Sequence, residues 1–309
     1  MGMYRKASIV ALAVALQAGA ATAAYAAKPS APAAQSKSAQ AAMVYNKFEQ
    51  SLKNPAKLAY TIQYLNNHIH EVTAGQATLM VLHLETAQTR AFFQLQSEMI
   101  KPAVQKVIVP AAGKKGTTFT ALLSVIKDNK VRNLLMKARD AGLKVVTSEG
   151  MYYLELNYGI YRKYQPFVAK DISDYVGVMM IERDRPSARD GALIIGWTEL
   201  AERTAKQLDF LDNYKGSNRK REISGLYEGN KLKMFYGLNN TPLFDPVTKE
   251  INPNARTAYN TLLAANAGSS NKLIVKLQAF MNLVEKSDGK RTIEINEFLK
   301  TQVPVSNGN

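Results

Sequence analysis

The three histidines of the chain lie in one short stretch that also contains two glutamates: His68, His70 and His83 with Glu71 and Glu85. Imidazole and carboxylate groups are ligands of zinc, so this stretch is a candidate metal site. Helical ligand pairs are three or four residues apart, as His68 and Glu71 are, whereas residues two apart point in different directions. The candidate ligands are therefore His68, Glu71 and His83. The favoured alternative is that the histidines lie in the last turn of a helix, where the dipole stabilises a cation, and that the protein binds no metal or other cofactor.

Tyrosine is dense between residues 152 and 175, and arginine and lysine are interleaved with it. Aromatic rings beside cations can stack on sugars and hold phosphates. The candidates for ligand stacking are Tyr153, Tyr161 and Tyr164. The alternative is structural, because the spacing of Tyr161 and Tyr164 and the alternation of the preceding segment also direct rings into a core.

Motifs for hydrolysis are weak in this sequence. The segment from Gly191 to Gly196 lacks the lysine of a phosphate-binding loop, and no serine stands in a Gly-x-Ser-x-Gly motif. Glu155, Glu182 and Glu199 could supply a carboxylate pair for glycan cleavage, but the sequence does not give the separation that defines such a site. A carboxylate in a basic region is more often a salt-bridge partner. We therefore expect a non-catalytic protein, with a hydrolase using acidic residues near Glu155 as the alternative.

Cations dominate the chain, whose formal net charge is +15. They are concentrated between residues 101 and 147, where lysines and arginines face only Asp128 and Asp140 and leave a local excess of +8. A second short basic run follows at residues 219–221. The candidate anion-binding residues are Lys101, Lys106, Lys114, Lys115, Lys127, Lys130, Arg132, Lys137, Arg139, Lys144, Arg219, Lys220 and Arg221.

Residues 1–26 have the organisation of a cleavable secretory signal peptide. Arg5 and Lys6 precede an uncharged stretch, and Ala24-Tyr25-Ala26 suits cleavage before Ala27. The stretch is too rich in small and polar residues to favour a retained membrane anchor. Losing Arg5 and Lys6 would reduce the charge from +15 to +13. The chain has no cysteine, which rules out disulfides, thiolate nucleophiles and a lipid-modified cysteine, and for an exported protein favours a Gram-positive source.

Export determines which partners the cations would meet. The abundant polyanions outside a cell are wall polymers and phospholipid head groups, and nucleic acid is scarce there. We therefore expect a basic envelope or secreted protein that associates with an anionic cell-wall polymer or membrane surface, and no nucleic-acid partner. An extracytoplasmic small-molecule binding protein is a further alternative, which a large pocket lined by tyrosines would favour.

The elements that position these side chains are predicted to be mainly α-helical. Apolar residues recur at spacings of three and four over most of the chain, and Thr73 with Gln76 forms a capping-box pattern. Alternation in steps of two within residues 144–158 predicts one small β-hairpin insertion, and Gly142 before it predicts a left-handed helix cap. Pro110 and the Gly113–Gly116 run predict a mobile basic loop.

Composition divides the chain into successive regions. Residues 27–42 are rich in proline, alanine and serine and are predicted to be a disordered spacer. Residues 43–300 form the predicted helical body. An alternative is that this body consists of two subdomains that meet near residues 142–160. Residues 301–309 are predicted to be a frayed tail.

Overall fold

The fold is mainly α-helical with small antiparallel hairpins, which confirms the predicted fold class. The computed structural model describes residues 32–305, with side chains from residue 36 onward. The predicted signal peptide, residues 1–26, lies outside the described residues, as do residues 306–309 of the predicted tail. The α-helices are α1 (Pro32–Leu52), α2 (Leu58–His68), α3 (Ala74–Met99), α4 (Pro102–Lys115), α5 (Phe119–Val125), α6 (Asn129–Asp140), α7 (Lys170–Asp184), α8 (Trp197–Asn213), α9 (Lys220–Tyr236), α10 (Pro253–Ala265), α11 (Lys272–Lys286) and α12 (Ile293–Gln302).

Several helix ends follow directly from local sequence. Thr73 and Gln76 form the predicted capping box at the start of α3, in which each side chain satisfies a free backbone N–H of the first turn. Asn252 caps α10, with Pro253 in its first turn. Gly142 follows α6 with φ of 73°, as predicted for a left-handed cap. Three short 3₁₀ segments complete the helical structure, at Pro55–Lys57, Ile69–Glu71 and Tyr158–Phe167.

The predicted hairpin is confirmed. Strand β1 (Leu143–Ser148) pairs antiparallel with β2 (Met151–Leu156), and Val145 faces Leu154 in the register. Both of these side chains are buried, so one face of the ribbon packs on the core. Two further hairpins of two-residue strands were not predicted. They are formed by β3 (Ala188–Arg189) with β4 (Ala192–Leu193) and by β5 (Gly237–Leu238) with β6 (Thr241–Pro242).

Three predictions about local structure are corrected. The basic segment around Pro110, predicted to be a loop, is helical as far as Lys115, because Pro110 lies on the exposed side of α4, where water can satisfy the carbonyl left without its partner. Helix α1 already begins at Pro32, so much of the predicted spacer is helical, as its alanine-rich composition allows. Helical spacing of apolar residues from Phe119 to Ala141 predicts one continuous helix, but this segment forms two helices, separated where Asp128 caps α6.

Residues 40–305 form one compact unit that contains two hydrophobic clusters. The first runs from Val44 to Met180, includes both strands of the β1–β2 hairpin, and also contains Phe210 of α8 and Ile223 of α9. The second extends from Ile195 to Val303. Helices α8 and α9 contribute to both clusters, and the hairpin within residues 142–160, where the two-subdomain alternative places a boundary, packs into the first. Among the described residues, no helix combines the length and apolar character needed to cross a bilayer.

Candidate functional site

A set of exposed lysines lies on α4, on α6 and at the turn before α6. Helix α5 packs against both α4 and α6, so these helices are neighbours in space. Within residues 36–305 none of these lysine side chains has a hydrogen-bond or ion-pair partner. We call the set the lysine surface; its members are Lys106, Lys114, Lys115, Lys127, Lys130 and Lys137.

The acidic residue closest to these lysines in the sequence does not neutralise them. Asp128 accepts a hydrogen bond of 3.0 Å from the backbone N–H of Val131, and so acts as the N-cap of α6. Its carboxylate is thereby engaged with a helix terminus. The positive charge of the lysine surface consequently faces solvent.

Other predicted cations of this region are engaged by neighbours. Lys101 pairs with Glu98 and Arg139 with Asp140 at exposed positions. Arg132 donates to the carbonyl oxygens of Leu123 and Ile126 and so ties the end of α5 to α6. These side chains have local structural partners and are less available to a polyanion than the lysine surface.

Lys144 on β1 is tied down by several acceptors. Its Nζ lies 3.5 Å from Glu155 and 3.0 Å from Asp184, and it also donates to the carbonyl oxygen of Arg183. The bonds to Arg183 and Asp184 attach the hairpin to the end of α7. The charge of Lys144 is therefore neutralised by Glu155 and Asp184 within the fold.

The short basic run at 219–221 is split by the fold. Lys220 and Arg221 are exposed and, among the described residues, their side chains have no hydrogen-bond or ion-pair partner. Arg219 instead reaches into the molecule, where its Nη2 lies 2.6 Å from a carboxylate oxygen of Glu85. The charge of Arg219 is thus neutralised by the buried carboxylate of Glu85, and Arg219 belongs to a different site.

That second site is a cleft of about 600 Å³ between α3, α7 and α9. We call it the arginine cleft, because Arg90 from α3, Arg183 from α7 and Arg219 at the start of α9 all line it. Its volume lies in the usual range of ligand pockets. The other lining residues are Glu85, Thr86, Thr89, Phe93, Tyr158, Tyr175, Met179, Glu222, Gly225 and Leu226.

The buried end of the arginine cleft is built around Glu85. Its Oε1 accepts hydrogen bonds of 2.5 Å from the hydroxyls of Tyr158 and Tyr175, and its Oε2 accepts from Nε and Nη2 of Arg219 at 3.0 and 2.6 Å. The guanidinium of Arg219 also lies over the ring of Tyr175. A buried carboxylate with this many donors is a satisfied structural anion. Residues from α3, α7, α9 and the 3₁₀ segment are thereby held in one arrangement.

The pKa values of these groups reflect their burial. Burial, and then the charge of Glu85, raise the pKa of Tyr158 and Tyr175 above the ordinary value for tyrosine. Burial alone would lower the pKa of Arg219, but the Glu85 carboxylate reverses that effect, so its net pKa is raised. The tyrosines therefore remain neutral donors and Arg219 remains a cation at physiological pH.

The exposed rim of the arginine cleft has a different character. Arg90 is exposed and has no hydrogen-bond or ion-pair partner among residues 36–305. Arg183 makes one bond of 3.2 Å to Glu155, and its side chain is 44 % exposed. Phe93, one helical turn beyond Arg90, is 67 % exposed. Cations and apolar surface that face solvent therefore lie side by side at this rim.

The prediction that three tyrosines stack on a ligand is corrected for two of them by their burial. Tyr161 and Tyr164 are fully buried, and their hydroxyls donate to Gln88 and Asn66 respectively. Neither ring has a face open to a ligand, so both are core residues. Tyr153 is half-buried in β2 and does not line the arginine cleft. The tyrosines that do line it are Tyr158 and Tyr175.

The predicted metal ligands are divided between two separate pairs. Nδ1 of His68 lies 2.5 Å from Glu71, and Nδ1 of His83 lies 2.8 Å from Glu49. Within the described part of the chain, no group of three or more histidines and carboxylates could hold a metal ion.

The three candidate catalytic glutamates are all engaged with polar partners. Glu155 lies between Lys144 and Arg183 at the base of the hairpin, away from its turn. Glu182 is buried and accepts from Gln207 and Asn230, while Glu199 is bonded to Arg203 and Arg185. Burial raises the pKa of Glu182, whereas the hydrogen bond from Arg203 is the largest cause that lowers the pKa of Glu199.

Sequence reasoning missed the arginine cleft because its residues come from three distant segments. One signal was present in α3, where Glu85 and Gln88 continue the core spacing set by Val81 and Leu84. Polar residues at core positions of an amphipathic helix indicate a buried hydrogen-bonded network. The partners Tyr175 and Arg219 lie far along the chain and could not be paired with Glu85 from the sequence.

No family model matches this chain, and neither a curated protein nor a solved structure matches it. The function must therefore be argued from the sites themselves.

Proposed function

We propose that this is an exported, non-catalytic protein that associates with an anionic cell-wall polymer through the lysine surface. The observation that carries the proposal is that these lysines are exposed on neighbouring helices and have no acidic partner within residues 36–305. Exposed cations keep their hydration until a polyanion replaces their counterions, so association gains free energy by counterion release.

Part of the lysine surface also has a structural reason to exist. Lys114, Lys115 and Lys137 lie in the last turns of α4 and α6, where a cation stabilises the helix by up to about 1 kcal/mol. Lys106, Lys127 and Lys130 have no such reason, because they lie in the middle of α4, before α6 and in its first turn. A cation at a helix start is mildly unfavourable, which supports a role for Lys130 outside folding.

A polymer is favoured over a membrane surface by the side chains around these lysines. Peripheral membrane helices combine cations with large apolar side chains that enter the lipid. The large apolar residues exposed on α4 and α5 are Val109 and Val125, and both are only partly exposed. Electrostatic attraction without insertion fits a flexible polyanion better.

A wall-directed hydrolase is less well supported. The Glu155 carboxylate lies 3.5 Å from Lys144 and 3.2 Å from Arg183, so it is already engaged in salt bridges that hold the hairpin.

Sedimentation with purified cell wall tests the proposal. Six phosphate-like contacts predict that affinity falls about a thousandfold between about 50 and 200 mM salt. A variant with lysine to glutamine changes throughout the lysine surface should lose most of its binding. The matched control carries the same number of changes at exposed lysines elsewhere and should keep its binding: Lys53, Lys57, Lys206, Lys286, Lys290 and Lys300.

Four outcomes would count against the proposal. Equal losses in the two variants would mean that net charge alone is responsible. Binding that resists salt would exclude the electrostatic account. Binding to vesicles rich in phosphatidylglycerol but not to wall would identify a membrane surface as the partner. Clearing of the wall suspension, abolished by Glu155→Gln, would indicate the hydrolase.

A further inference from the structure

We propose that the arginine cleft binds an amphipathic organic anion, whose charged group pairs with Arg90 and Arg183 and whose apolar body lies against Phe93, Met179 and Leu226. This site uses none of the residues of the lysine surface. The proposal is therefore independent of the proposed function and has a separate test.

The first step is charge. Three arginines and two glutamates line the cleft, and Glu85 is fully committed to Arg219 and the two tyrosines. The charges that remain are those of Arg90, Arg183 and Glu222. Arg90 has no partner among the described residues, and Arg183 shares Glu155 with Lys144. The rim thus retains an excess positive charge with planar donors suited to a phosphate or carboxylate.

The second step is the apolar surface. Phe93 is 67 % exposed at the rim, whereas Met179 lies deeper and is buried. Leu226 on α9 and the ring of Tyr175 continue this lining. Water in contact with such a wall is readily displaced by an alkyl or aryl group. The ligand therefore needs an apolar body as well as a charge.

The third step is preorganisation. Helices α3, α7 and α9 are tied together by the four hydrogen bonds to Glu85, so the cleft walls are fixed before any ligand arrives. A rigid site does not have to be ordered when the ligand binds, which favours affinity. Glu85 acts here as a positioning residue, since its oxygens are already occupied.

Calorimetric titration with octyl phosphate, below its micelle concentration, tests the site in the full chain. Octanoate tests whether a carboxylate replaces the phosphate. Octanol and inorganic phosphate each supply one half of the ligand. We expect octyl phosphate to bind at least tenfold more tightly than either half.

Variants with opposite expected effects sharpen the test. Arg90→Gln should weaken octyl phosphate binding about tenfold, because one charge-assisted hydrogen-bonding group is lost. Glu222→Gln should strengthen it several-fold by removing the like charge that faces the anion. Arg162→Gln is the matched control, since Arg162 is also exposed and unpaired within residues 36–305 but lies outside the cleft.

The apolar wall is tested by Phe93→Ser, with Val247→Ser as the control at another exposed apolar residue. Phe93→Ser should weaken octyl phosphate but leave inorganic phosphate unchanged. The proposal is overturned if octanol binds as tightly as octyl phosphate, or if Arg90→Gln and Arg162→Gln have equal effects. All of these side chains are exposed, so an unchanged melting temperature will show that each variant is folded.

Discussion

Glu85 is a single residue that links segments far apart in the sequence. Its carboxylate binds Arg219, 134 positions away, and the hydroxyls of Tyr158 and Tyr175. Both members of the ion pair are mostly buried. Removing one member of a buried pair leaves the other charge desolvated and uncompensated.

We therefore predict that Glu85→Gln destabilises the protein by about 3 kcal/mol, measured by denaturant unfolding. Glutamine keeps the shape of glutamate but cannot neutralise Arg219. Adding Arg219→Gln should recover part of the loss, because the unpaired charge is then gone.

The control for this prediction is Glu98→Gln, which breaks the exposed pair with Lys101. An exposed pair contributes at most about 1 kcal/mol. If Glu85→Gln costs no more than Glu98→Gln, the Glu85 network does not hold the three helices together.

At the residue scale, the sequence could not show which cations form ion pairs with acidic residues. The sequence showed that residues 101–147 are basic, but the partner of Lys144 is Asp184 and that of Arg219 is Glu85. Such pairs depend on how distant elements pack. Tyr161 and Tyr164 show the same limit, because tyrosine fits a core and a ligand site equally well and only burial distinguishes the two.

At the scale of elements, the hairpin that follows α9 depends on one backbone conformation. Gly237 has φ of 76°, and a Cβ at this position would lie 2.3 Å from the backbone nitrogen of Leu243 and 2.5 Å from the carbonyl oxygen of Thr241. Backbone atoms of a paired strand cannot move aside as a flexible side chain can.

We predict that Gly237→Ala destabilises the protein by more than about 2 kcal/mol, measured by chemical unfolding. A backbone with φ of 76° and ψ of −156° is adopted almost only by glycine and costs alanine about 1–3 kcal/mol, and the collision with the β5–β6 backbone adds to it. Gly229→Ala within α9 is the matched control. No atom lies within 4 Å of its added Cβ, so it should stabilise the helix by up to about 1 kcal/mol. A loss of similar size in both variants would contradict this account.

Elements with strong local signals were predictable and those without were not. The predicted capping box at Thr73 is confirmed, and the start of α10 at Asn252-Pro253 likewise depends on neighbouring residues alone. Helix α4 was missed because Pro110 normally ends a helix, and its tolerance depends on which side of α4 faces solvent. Helices α9 and α12 were missed as well, and α9 contains two glycines that weaken its local signal.

At the scale of the whole molecule, the predicted fold class is confirmed, but the sequence did not show how the core is divided between two clusters. The change from helical to alternating pattern near residue 143 suggested a boundary. Leu143, Val145 and Leu154 instead pack into the same cluster as α3 and α6. Helix α8 contributes Phe210 to one cluster and Leu200 to the other. Periodicity identifies elements, but it does not identify which core each element joins.

Buried tyrosines are distributed through both clusters. Burial is the largest cause that raises their pKa values, and the pKa of Tyr227 is raised to about 12. Several of the hydroxyls donate to buried acceptors, as Tyr259 does to the carbonyl oxygen of Met234. Ionisation in the folded state would place a negative charge in the interior, where burial penalises it. The tyrosines with raised pKa values and deep burial are Tyr158, Tyr161, Tyr164, Tyr175 and Tyr259.

We predict that alkali unfolds this protein cooperatively above pH 10. Because the folded pKa of each buried tyrosine is raised, its contribution to stability is fully present below the unfolded value of about 10 and is lost as the pH rises. Each such tyrosine then costs about 1.4 kcal/mol of stability per pH unit, so several together exhaust a typical folding free energy within about two units. Tyrosinate absorbance and the far-UV helical signal should change in one shared transition, whereas the chain in denaturant should titrate near pH 10. If all the tyrosines ionise near pH 10 while the helical signal persists, these rings are not buried in the way that the two clusters require.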